Sequence, residues 1–327
     1  VVVKNNSIIS SGCTSVGGRP HAESNTLKKK TNFKDSDLFV TLEPCSHYGY
    51  TPPCTKIIIS KKIKRVIFSI NDTDPRSRNH ASKELNKNQI KIKEFVLKDF
   101  AKIFYKSYFT QSTKEIPFID AKIAVSKDFF TVNKKNKWIT NKKSRVLANF
   151  LRSKYDCLLT TSKTINDDNP ILNCRIEGLE KKSPDLVILD RLFKIKLNSV
   201  IFKKNKGNIY ILTNINNLSK ERFFKKIGVK VIKLENKSSP INSLKNIFIE
   251  IKKMGFNRIL VESGITFLNQ LIKYDFIKNF YLFKSSLNLK SRGFNYSTPL
   301  YLKQLNISEK NEIKVNLTGD TLYKVKL

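Results

Sequence analysis

The residues with the most distinctive chemistry lie in the first sixty positions of the chain. His21 and Glu23 belong to a His-Ala-Glu motif, and Cys45 and Cys54 follow it, each directly after a proline. One imidazole and two thiolates are three of the four ligands of a tetrahedral zinc ion, and in a catalytic site the fourth position stays open for water. A carboxylate two residues after the histidine can take a proton from that water and pass it to a leaving group. We therefore expect His21, Cys45 and Cys54 to bind Zn²⁺ and Glu23 to be catalytic.

The order of these residues favours a catalytic zinc site over simpler interpretations. A single histidine is usually structural, and Cys45 and Cys54 could be buried core thiols. The sequence His-x-Glu, then Pro-Cys, then a further cysteine is instead typical of zinc nucleobase deaminases. The other cysteines, Cys13, Cys157 and Cys174, are expected to be packing residues. Because five cysteines is an odd number without a framework spacing, we expect a reducing compartment and a cytoplasmic location.

The spacing of the cysteines narrows the class of deaminase. Eight residues separate Cys45 from Cys54, whereas nucleic-acid deaminases generally have two. The run that begins at Thr41, Thr-Leu-Glu-Pro-Cys-Ser-His-Tyr-Gly-Tyr-Thr-Pro-Pro-Cys, closely resembles the deaminase half of the bifunctional riboflavin-biosynthesis deaminase–reductases. The resemblance implies hydrolytic deamination of a diaminopyrimidine that carries a phosphoribosylamino group.

The same resemblance implies three substrate-binding residues in the first half. His47 would flank the substrate, although an exposed loop histidine is the simpler alternative. Asp72 and Asp74 match the family's acidic substrate-binding turn, where many members have Asn in place of Asp74. An ordinary turn is the alternative there, since Asp and Pro favour turns in any case.

The second half of the chain resembles the reductase half of the same family. Residues 122–128 match its Lys-x-x-x-Ser-x-Asp-Gly element, and residues 138–140 match its Trp-Ile-Thr motif. Arg152 follows at the distance that the family requires. Residues 164–175 match the segment between cofactor and substrate, and residues 261–266 match the Glu-x-Gly-Pro-Thr turn. The resemblance therefore runs across nearly the whole chain.

This half would bind NADPH and reduce the ribosyl group of the deaminated product to a ribityl chain. The cofactor contacts implied by the resemblance are Ala124, Trp138, Thr164, Asp168, Gly264, Ile265 and Thr266. The substrate contacts implied by it are Lys122, Asn136, Arg152, Leu172, Arg175 and Glu262. Lys122, Asp168 and Glu262 would line the ribose, and the two arginines would bind the phosphate.

Simpler roles remain possible for several of these positions. Arg152 and Arg175 could be ordinary surface charge, and Trp138 could be a core residue. A turn between strand and helix at Gly264 places backbone N–H groups where phosphates bind well, although such a turn is often plain architecture. The chain has no Gly-x-Gly-x-x-Gly motif, which argues against a Rossmann dinucleotide site.

Several positions depart from the family's pattern. Thr14 stands where many members have a histidine, Asn136 replaces a common serine, and Ile265 replaces a proline. Phe129 replaces the glycine after Asp128, so we expect the turn there to be built differently. The chain also starts in the strand that follows the family's first helix and Pro-Asn-Pro-x-Val-Gly loop, whose Asn helps to hold the pyrimidine. One hypothesis is therefore that zinc binds but only the reductase half is active.

The net charge of +35 suggests a competing class of function. The 62 basic and 27 acidic residues favour a nucleic-acid deaminase or a nucleic-acid-binding protein as the alternative. Only 11 of the basic residues are arginine, the better reader of phosphates and bases, and the excess is spread evenly, with +12 over residues 1–114 and +23 over residues 115–327. We expect small-molecule phosphoribosyl pyrimidine substrates and no specific nucleic-acid partner. We expect no membrane partner either, because no apolar run is long enough to cross a bilayer.

The elements that must position these residues alternate between strand and helix, which predicts α/β layers with mostly parallel sheets in both halves. In the first half we expect strands over 38–42, 65–69 and 90–94 and helices over 54–62, 79–88 and 99–109. In the second half we expect a helix over 141–152 and strands over 118–125, 156–160, 185–189, 208–212, 229–233 and 258–261. The polar stretch 111–115 predicts a boundary between domains 1–114 and 115–327. The resemblance implies an N-terminal cytidine-deaminase-like α/β/α layer domain, then a dihydrofolate-reductase-like α/β domain, in a homo-oligomer.

Overall fold

The structure is a computed structural model that describes residues 1–15, 18–113, 115–305 and 307–327. The chain divides into two compact units, Val1–Thr113 and Lys114–Leu327. Within the described ranges, none of the helices combines the length and the apolar character that crossing a membrane requires. Each unit is built around its own sheet.

The first unit has a five-stranded sheet in the order β2-β1-β3-β4-β5. Its strands are β1 (Val2–Lys4), β2 (Ser7–Ser10), β3 (Asp37–Val40), β4 (Arg65–Phe68) and β5 (Lys91–Lys93). Its helices are α1 (Ala22–Leu27), α2 (Cys54–Ser60), α3 (His80–Lys87) and α4 (Lys98–Thr113). A buried apolar core joins the sheet to its helices, with Leu27 of α1, Ile58 of α2 and Leu85 of α3 fully buried.

The prediction of a mostly parallel sheet is wrong for this unit. β3, β4 and β5 pair in parallel, but β1 pairs antiparallel with both β2 and β3. The first of these antiparallel pairs comes from a tight turn between β1 and β2, where Asn5 and Asn6 have φ of 49° and 59°. Two successive residues with positive φ form the two-residue hairpin turn whose twist matches that of the flanking strands, and asparagine tolerates this conformation.

Two smaller expectations in the first unit also need correction. The helix expected over 99–109 extends to Thr113, so most of the polar stretch 111–115, where we expect the domain boundary, is helical. Cys13 is exposed and does not pack in a core, whereas Cys157 and Cys174 of the second unit are buried.

The second unit has an eight-stranded sheet in the order β11-β10-β9-β8-β12-β6-β13-β15. Its strands are β6 (Phe118–Val125), β7 (Val132–Asn133), β8 (Cys157–Thr161), β9 (Asp185–Leu189), β10 (Ile209–Thr213), β11 (Lys230–Lys233), β12 (Arg258–Val261), β13 (Asn279–Lys284), β14 (Gly293–Phe294) and β15 (Thr321–Lys326). Its helices are α5 (Lys142–Arg152), α6 (Ser162–Asp168), α7 (Ile201–Lys204), α8 (Leu218–Lys226), α9 (Pro240–Lys253), α10 (Ile265–Lys273) and α11 (Leu300–Gln304). β7 and β14 form a separate two-stranded sheet.

The large sheet is parallel from β11 to β13 and ends in one antiparallel pair, β13 with β15. Each face of this sheet is covered by its own apolar cluster. Along β8, for example, the side chains of Cys157 and Leu159 belong to one cluster and that of Leu158 belongs to the other. Since alternate residues of a strand point to opposite faces, a sheet covered on both sides needs apolar residues throughout.

The turn after Asp128 keeps a backbone of the kind that glycine adopts easily. Phe129 has φ of 67°, a conformation that costs a non-glycine residue roughly 1–2 kcal/mol. Its N–H donates to Ser126 O at 3.0 Å, and its carbonyl accepts from Asn295 Nδ2 at 3.0 Å. The departure from the family's glycine therefore lies in the side chain, and the expectation of a differently built turn is not met by the backbone conformation.

Candidate active sites in the two units

His21, Cys45 and Cys54 come together at the amino ends of two helices. His21 immediately precedes α1, Cys45 lies in the loop after β3, and Cys54 is the first residue of α2. One ligand atom from each residue lies within 4.8 Å of the other two, and His21 Nδ1 is 3.4 Å from each sulfur. The Cys54 backbone N–H donates to Cys45 Sγ at 3.3 Å, which fixes the two thiols side by side.

The protonation of this cluster suits a divalent metal. The pKa of Cys45 is lowered to about 4 because the Cys54 thiol donates to its sulfur and His21 adds a second hydrogen bond. The pKa of Cys54 is raised, mainly because its thiol is the donor to Cys45. The two sulfurs thus share one proton, which a metal would displace. Two sulfurs and one imidazole nitrogen are the donor set of a zinc site with an open position, so these residues fit Zn²⁺.

Glu23 lies beside the cluster without belonging to the three ligands. It is in the first turn of α1 and is 8% exposed. Burial raises the pKa of its carboxyl, and its electrostatic neighbours are His21 and Cys45. Thr14 accepts a hydrogen bond from Ala22 N at 3.3 Å, so the threonine that departs from the family's histidine holds the amino end of α1.

The loop between β4 and α3 carries the two predicted acidic residues and reaches His47. His47 Nδ1 lies 2.9 Å from Ser77 Oγ. Asp72 is buried, and its Oδ1 accepts from Asp74 N at 3.1 Å. Asp74 pairs with Arg76 at 2.6 Å, and the hydrogen bonds from Arg76 lower the pKa of Asp74 to about 2. His47 is therefore joined to this loop through Ser77, and the charge of Asp74 is neutralised by Arg76.

A cavity of about 1180 Å³ lies in the second unit. All thirteen residues predicted for cofactor and substrate in this half line it. Many of them follow directly after β8 and β12, and Ala124 lies near the end of β6. Since parallel strands all end at one edge, their carboxyl ends form the usual crevice for a ligand in such a sheet.

Three charged side chains form a buried ion cluster in the cavity wall. Arg152 donates from Nε to Glu262 Oε1 at 2.6 Å and from Nη2 to Oε2 at 2.9 Å, and Lys122 Nζ lies 3.5 Å from Glu262. Burial alone would raise the pKa of Glu262, but the charges of Arg152 and Lys122 outweigh it and hold that pKa at about 2. The cluster is therefore already charged and paired.

The two predicted phosphate-binding arginines differ in how much of each guanidinium is free. Arg152 Nη1 donates to Asn149 Oδ1 and to Asn173 O, so with the two bonds to Glu262 four of its five N–H groups have partners. Arg175 is exposed and donates from Nη1 to Asn173 Oδ1 at 3.1 Å. Burial and the nearby Arg152 charge lower the pKa of Arg175.

The turn at Gly264 has room for a ligand. A Cβ built on Gly264 meets nothing within 4 Å, and its φ of −65° is ordinary, so the protein's own packing does not require glycine there. Gly264 N donates to Thr164 Oγ1 at 3.3 Å, which joins this turn to α6. Ile265 and Thr266 begin α10, whose amino end faces the cavity. An open turn at a helix amino end fits the phosphates of a nucleotide cofactor.

The remaining predicted residues line the same cavity. Trp138 is half exposed and lies against Arg145, with 4.6 Å between the guanidinium and the ring centre. Asn136 Oδ1 accepts from Trp138 N at 3.1 Å. Burial raises the pKa of Asp168. Leu172 is buried with φ of 53°, a strained backbone of the kind often found at functional sites.

Sequence reasoning missed two residues that the structure brings to these sites. Arg191 follows β9 and lines the cavity, and burial alone lowers the pKa of its guanidinium, so no acidic group of the described residues is paired with it. Glu43 is buried two residues before Cys45 and accepts three backbone hydrogen bonds. Arg191 is one of 62 basic residues, and no sequence motif distinguishes it from the others. Glu43 belongs to the motif around Cys45, but the motif does not indicate a separate role for it.

Two family models match the chain. The RibD C-terminal domain matches residues 117–289, and the cytidine and deoxycytidylate deaminase zinc-binding region matches residues 1–70. The riboflavin biosynthesis protein RibD of Aquifex aeolicus is 32% identical, over 86% of this chain and 78% of that protein. The protein of the same name from Buchnera aphidicola is 30% identical, over 92% of this chain and 82% of that protein.

Solved structures resemble both units together. A diaminohydroxyphosphoribosylaminopyrimidine deaminase/5-amino-6-(5-phosphoribosylamino)uracil reductase from Thermotoga maritima is 27% identical, with a TM-score of 0.79 over 100% of this chain and 90% of that chain. RibD of Acinetobacter baumannii has a TM-score of 0.82 over 100% of this chain and 90% of that chain. At 22% identity, that second likeness supports the fold alone.

Proposed function

The chain belongs to the RibD family, whose members deaminate and reduce in riboflavin biosynthesis, and on that premise we propose how its residues divide the two reactions. Residues 1–114 carry the deaminase and residues 115–327 carry the reductase. The observation that carries this proposal is that each unit holds its own set of suitable side chains: the His21–Cys45–Cys54 cluster in one and the basic cavity in the other.

In the deaminase, His21, Cys45 and Cys54 would hold Zn²⁺, which would supply the Lewis acidity that makes water a nucleophile at neutral pH. Glu23 takes a proton from the attacking water and delivers it to the departing amine. The amino group of the diaminopyrimidine is thereby replaced by oxygen, and ammonia leaves. His47, Asp72 and Asp74 contact the substrate from the loops that Ser77 joins.

In the reductase, the cavity residues would hold NADPH, which would supply the hydride for reduction of the opened ribose carbon to a ribityl chain. Trp138, Thr164 and the turn at residues 264–266 hold this cofactor, together with Ala124 and Asp168. Lys122, Leu172 and Asn136 orient the sugar and the pyrimidine, so that the ribose carbon to be reduced is held in a fixed position for hydride transfer.

The phosphate of the substrate goes to Arg175. Its guanidinium is exposed to the cavity with one partner, whereas Arg152 has one N–H left and mainly holds Glu262 in place. A planar guanidinium suits a phosphate because it offers two parallel N–H donors. Arg152 therefore supports the site through Glu262 and adds at most one direct hydrogen bond.

Selection of NADPH over NADH is assigned to Arg191. The two cofactors differ by one phosphate on the adenosine ribose, and a cavity that selects NADPH must offer a cation without its own acidic partner. Lys163 does not meet this requirement, because it is paired with Asp167 at 2.8 Å. Lys137, Lys142 and Lys194 of the lining do meet it within the described ranges, as does Arg191.

Among the cations of the lining, we choose Arg191 because a planar guanidinium offers paired donors to a phosphate. Arg145, which also lines the cavity, already donates to Thr140 O and lies against Trp138. Asp190, which precedes Arg191, is occupied by the backbone N–H groups of Lys194 and Ile195.

The two activities are tested separately on the purified chain. Ammonia release is measured on the phosphoribosylamino diaminopyrimidine, and NADPH oxidation is measured on the deaminated product. We expect both, with Glu23→Gln abolishing the first and leaving the second unchanged. NADPH oxidation without ammonia release would establish instead that only the reductase half is active. The absence of both activities would contradict the proposal.

A further inference from the structure

Glu43 joins the loop of a zinc ligand to the loop that carries the substrate contacts. Glu43 as a whole residue is 3% exposed. Oε2 accepts from Asp72 N at 3.2 Å and from Asn79 N at 3.1 Å, and Oε1 accepts from Ala81 N at 3.2 Å. The backbone of Glu43 also donates to Ile70 O at 2.9 Å. One side chain therefore holds both ends of residues 72–79 against the segment that contains Cys45.

Glu43 anchors the ends of residues 72–79, which also meet directly because Asn71, just before them, donates from Nδ2 to Asn79 Oδ1. Asn79 has φ of 60°, the left-handed conformation, and its N–H is one of the three that Glu43 accepts. Ala81 lies in the first turn of α3, where a carboxylate is favoured by the helix dipole. A charged acceptor with three backbone donors is a strong anchor because charge-assisted hydrogen bonds are shorter and stronger than neutral ones.

The anchored segment returns to the cysteine loop by a second route. Ser77 lies in the middle of the segment, and its Oγ is 2.9 Å from His47 Nδ1, two residues beyond Cys45. Glu43 and His47 therefore hold the segment from both sides of Cys45. Asp72 and Asp74 lie between these contacts, so their distance from the three ligand atoms depends on them.

We propose that Glu43 is a positioning residue of the deaminase, which fixes the substrate loop relative to the metal-ligand loop. The proposal rests on the deaminase function proposed above for this unit. It assigns Glu43 no contact with metal or substrate. Its effect is on how well the substrate is held, since Asp72 and Asp74 are placed correctly only while both ends of their loop are anchored.

The test is Glu43→Gln, which keeps the size of the side chain but turns an NH₂ group towards at least one backbone N–H. We expect the KM of the deaminase for its pyrimidine substrate to rise about tenfold or more, because hydrogen bonds to a charged group are lost. Zinc content and NADPH oxidation by the same chain should not change. Glu84→Gln on α3 is the matched control and should leave all three unchanged.

Hydrogen exchange at Asp72, Asn79 and Ala81 gives a second readout that needs no activity. We expect these amides to lose protection in Glu43→Gln and to keep it in Glu84→Gln. Unchanged protection of these amides from exchange would overturn the positioning role. So would an unchanged KM for the pyrimidine substrate, with kcat lowered only because less of the protein is active. Loss of zinc would overturn it too, in favour of a role in metal binding. A wild-type chain that binds zinc but releases no ammonia would contradict the proposed function, and the exchange measurement would still decide whether Glu43 anchors the loop.

Discussion

The two candidate sites hold their charges in opposite ways. In the first unit, one ligand atom from each of His21, Cys45 and Cys54 lies within 4.8 Å of the other two, an arrangement that fits a metal cation. In the second unit, Glu262 is already paired with Arg152 and Lys122 inside the cavity wall. The comparison shows that the first site should depend on its metal, whereas the second should depend on its own buried ion cluster.

The largest effect that tests this comparison is the loss of a metal ligand. Cys54→Ala removes one of the three metal ligands, so we expect zinc to be lost. Ammonia release should fall by roughly 10²–10⁴-fold or more, since loss of a general acid or base alone has an effect of that size. NADPH oxidation should be unchanged. Zinc analysis and the two activity assays check this, with Cys13→Ala as the control because that thiol is exposed and outside the cluster. Full zinc content in Cys54→Ala would remove the cluster from consideration as a metal site.

The next effect breaks the ion cluster of the second unit. Glu262→Gln leaves Arg152 and Lys122 without their carboxylate, and breaking a buried pair in this way costs on the order of 3–5 kcal/mol of unfolding free energy. Denaturant unfolding and NADPH oxidation should both report the loss, while zinc content stays constant. Glu235→Gln, whose pair with Lys237 is exposed, is the control and should have a much smaller effect. Equal stability of the two variants would show that the cluster is not structural.

Acid should have the same effect as that substitution. Folding lowers the pKa of Glu262 from its ordinary value to about 2, so the stabilisation is fully present above the unfolded pKa, near 4.3, and is lost as the pH falls towards 2. Between these limits the wild-type chain should lose on the order of 3 kcal/mol more unfolding free energy than Glu262→Gln. Parallel unfolding curves of the two chains at each pH measure the difference. The same slope in both would assign the acid sensitivity to other groups.

The smallest effect concerns choice of cofactor. Arg191→Ala should raise the KM for NADPH roughly 10–100-fold, the value of hydrogen bonds to a charged group, and leave the KM for NADH nearly unchanged. Arg222→Ala on α8 is the control, since Arg222 is exposed and does not line the cavity. Initial rates with both cofactors give the ratio. A parallel rise for NADPH and NADH would mean that Arg191 shapes the cavity without reading the phosphate.

The sequence was most informative where chemistry is concentrated in a few residues. His21, Glu23, Cys45 and Cys54 have spacing that few other structures need. Strands β6, β9 and β12 were predicted with their observed bounds because each is mostly apolar, although Asp120 and Lys122 interrupt the run in β6. The functional roles of the individual residues stay predictions, as does the homo-oligomer.

What the sequence did not reveal depends on contacts between distant positions. The antiparallel pair of β1 and β2 follows from two asparagines in a left-handed turn, and β13 pairs with β15 although β14 and α11 lie between them in the chain. In the sequence, Glu43 is only one acidic residue of a known motif. The structure shows that three backbone N–H groups from residues 72–81 donate to it. Local pattern cannot indicate such partners, because they are chosen by the tertiary fold.

The order of strands in the second unit has a consequence for how the chain is made. β6 is the first strand of its sheet to be synthesised, yet its neighbours are β12 and β13, so Ala121 pairs with Val261 and Phe280. At roughly 5–20 residues per second, a ribosome releases β6 several seconds before either partner exists. During that time a strand that is buried along most of its length must stay unpaired in the nascent chain. Slow translation or a shortage of chaperones should therefore harm this protein first through β6, by aggregation before folding.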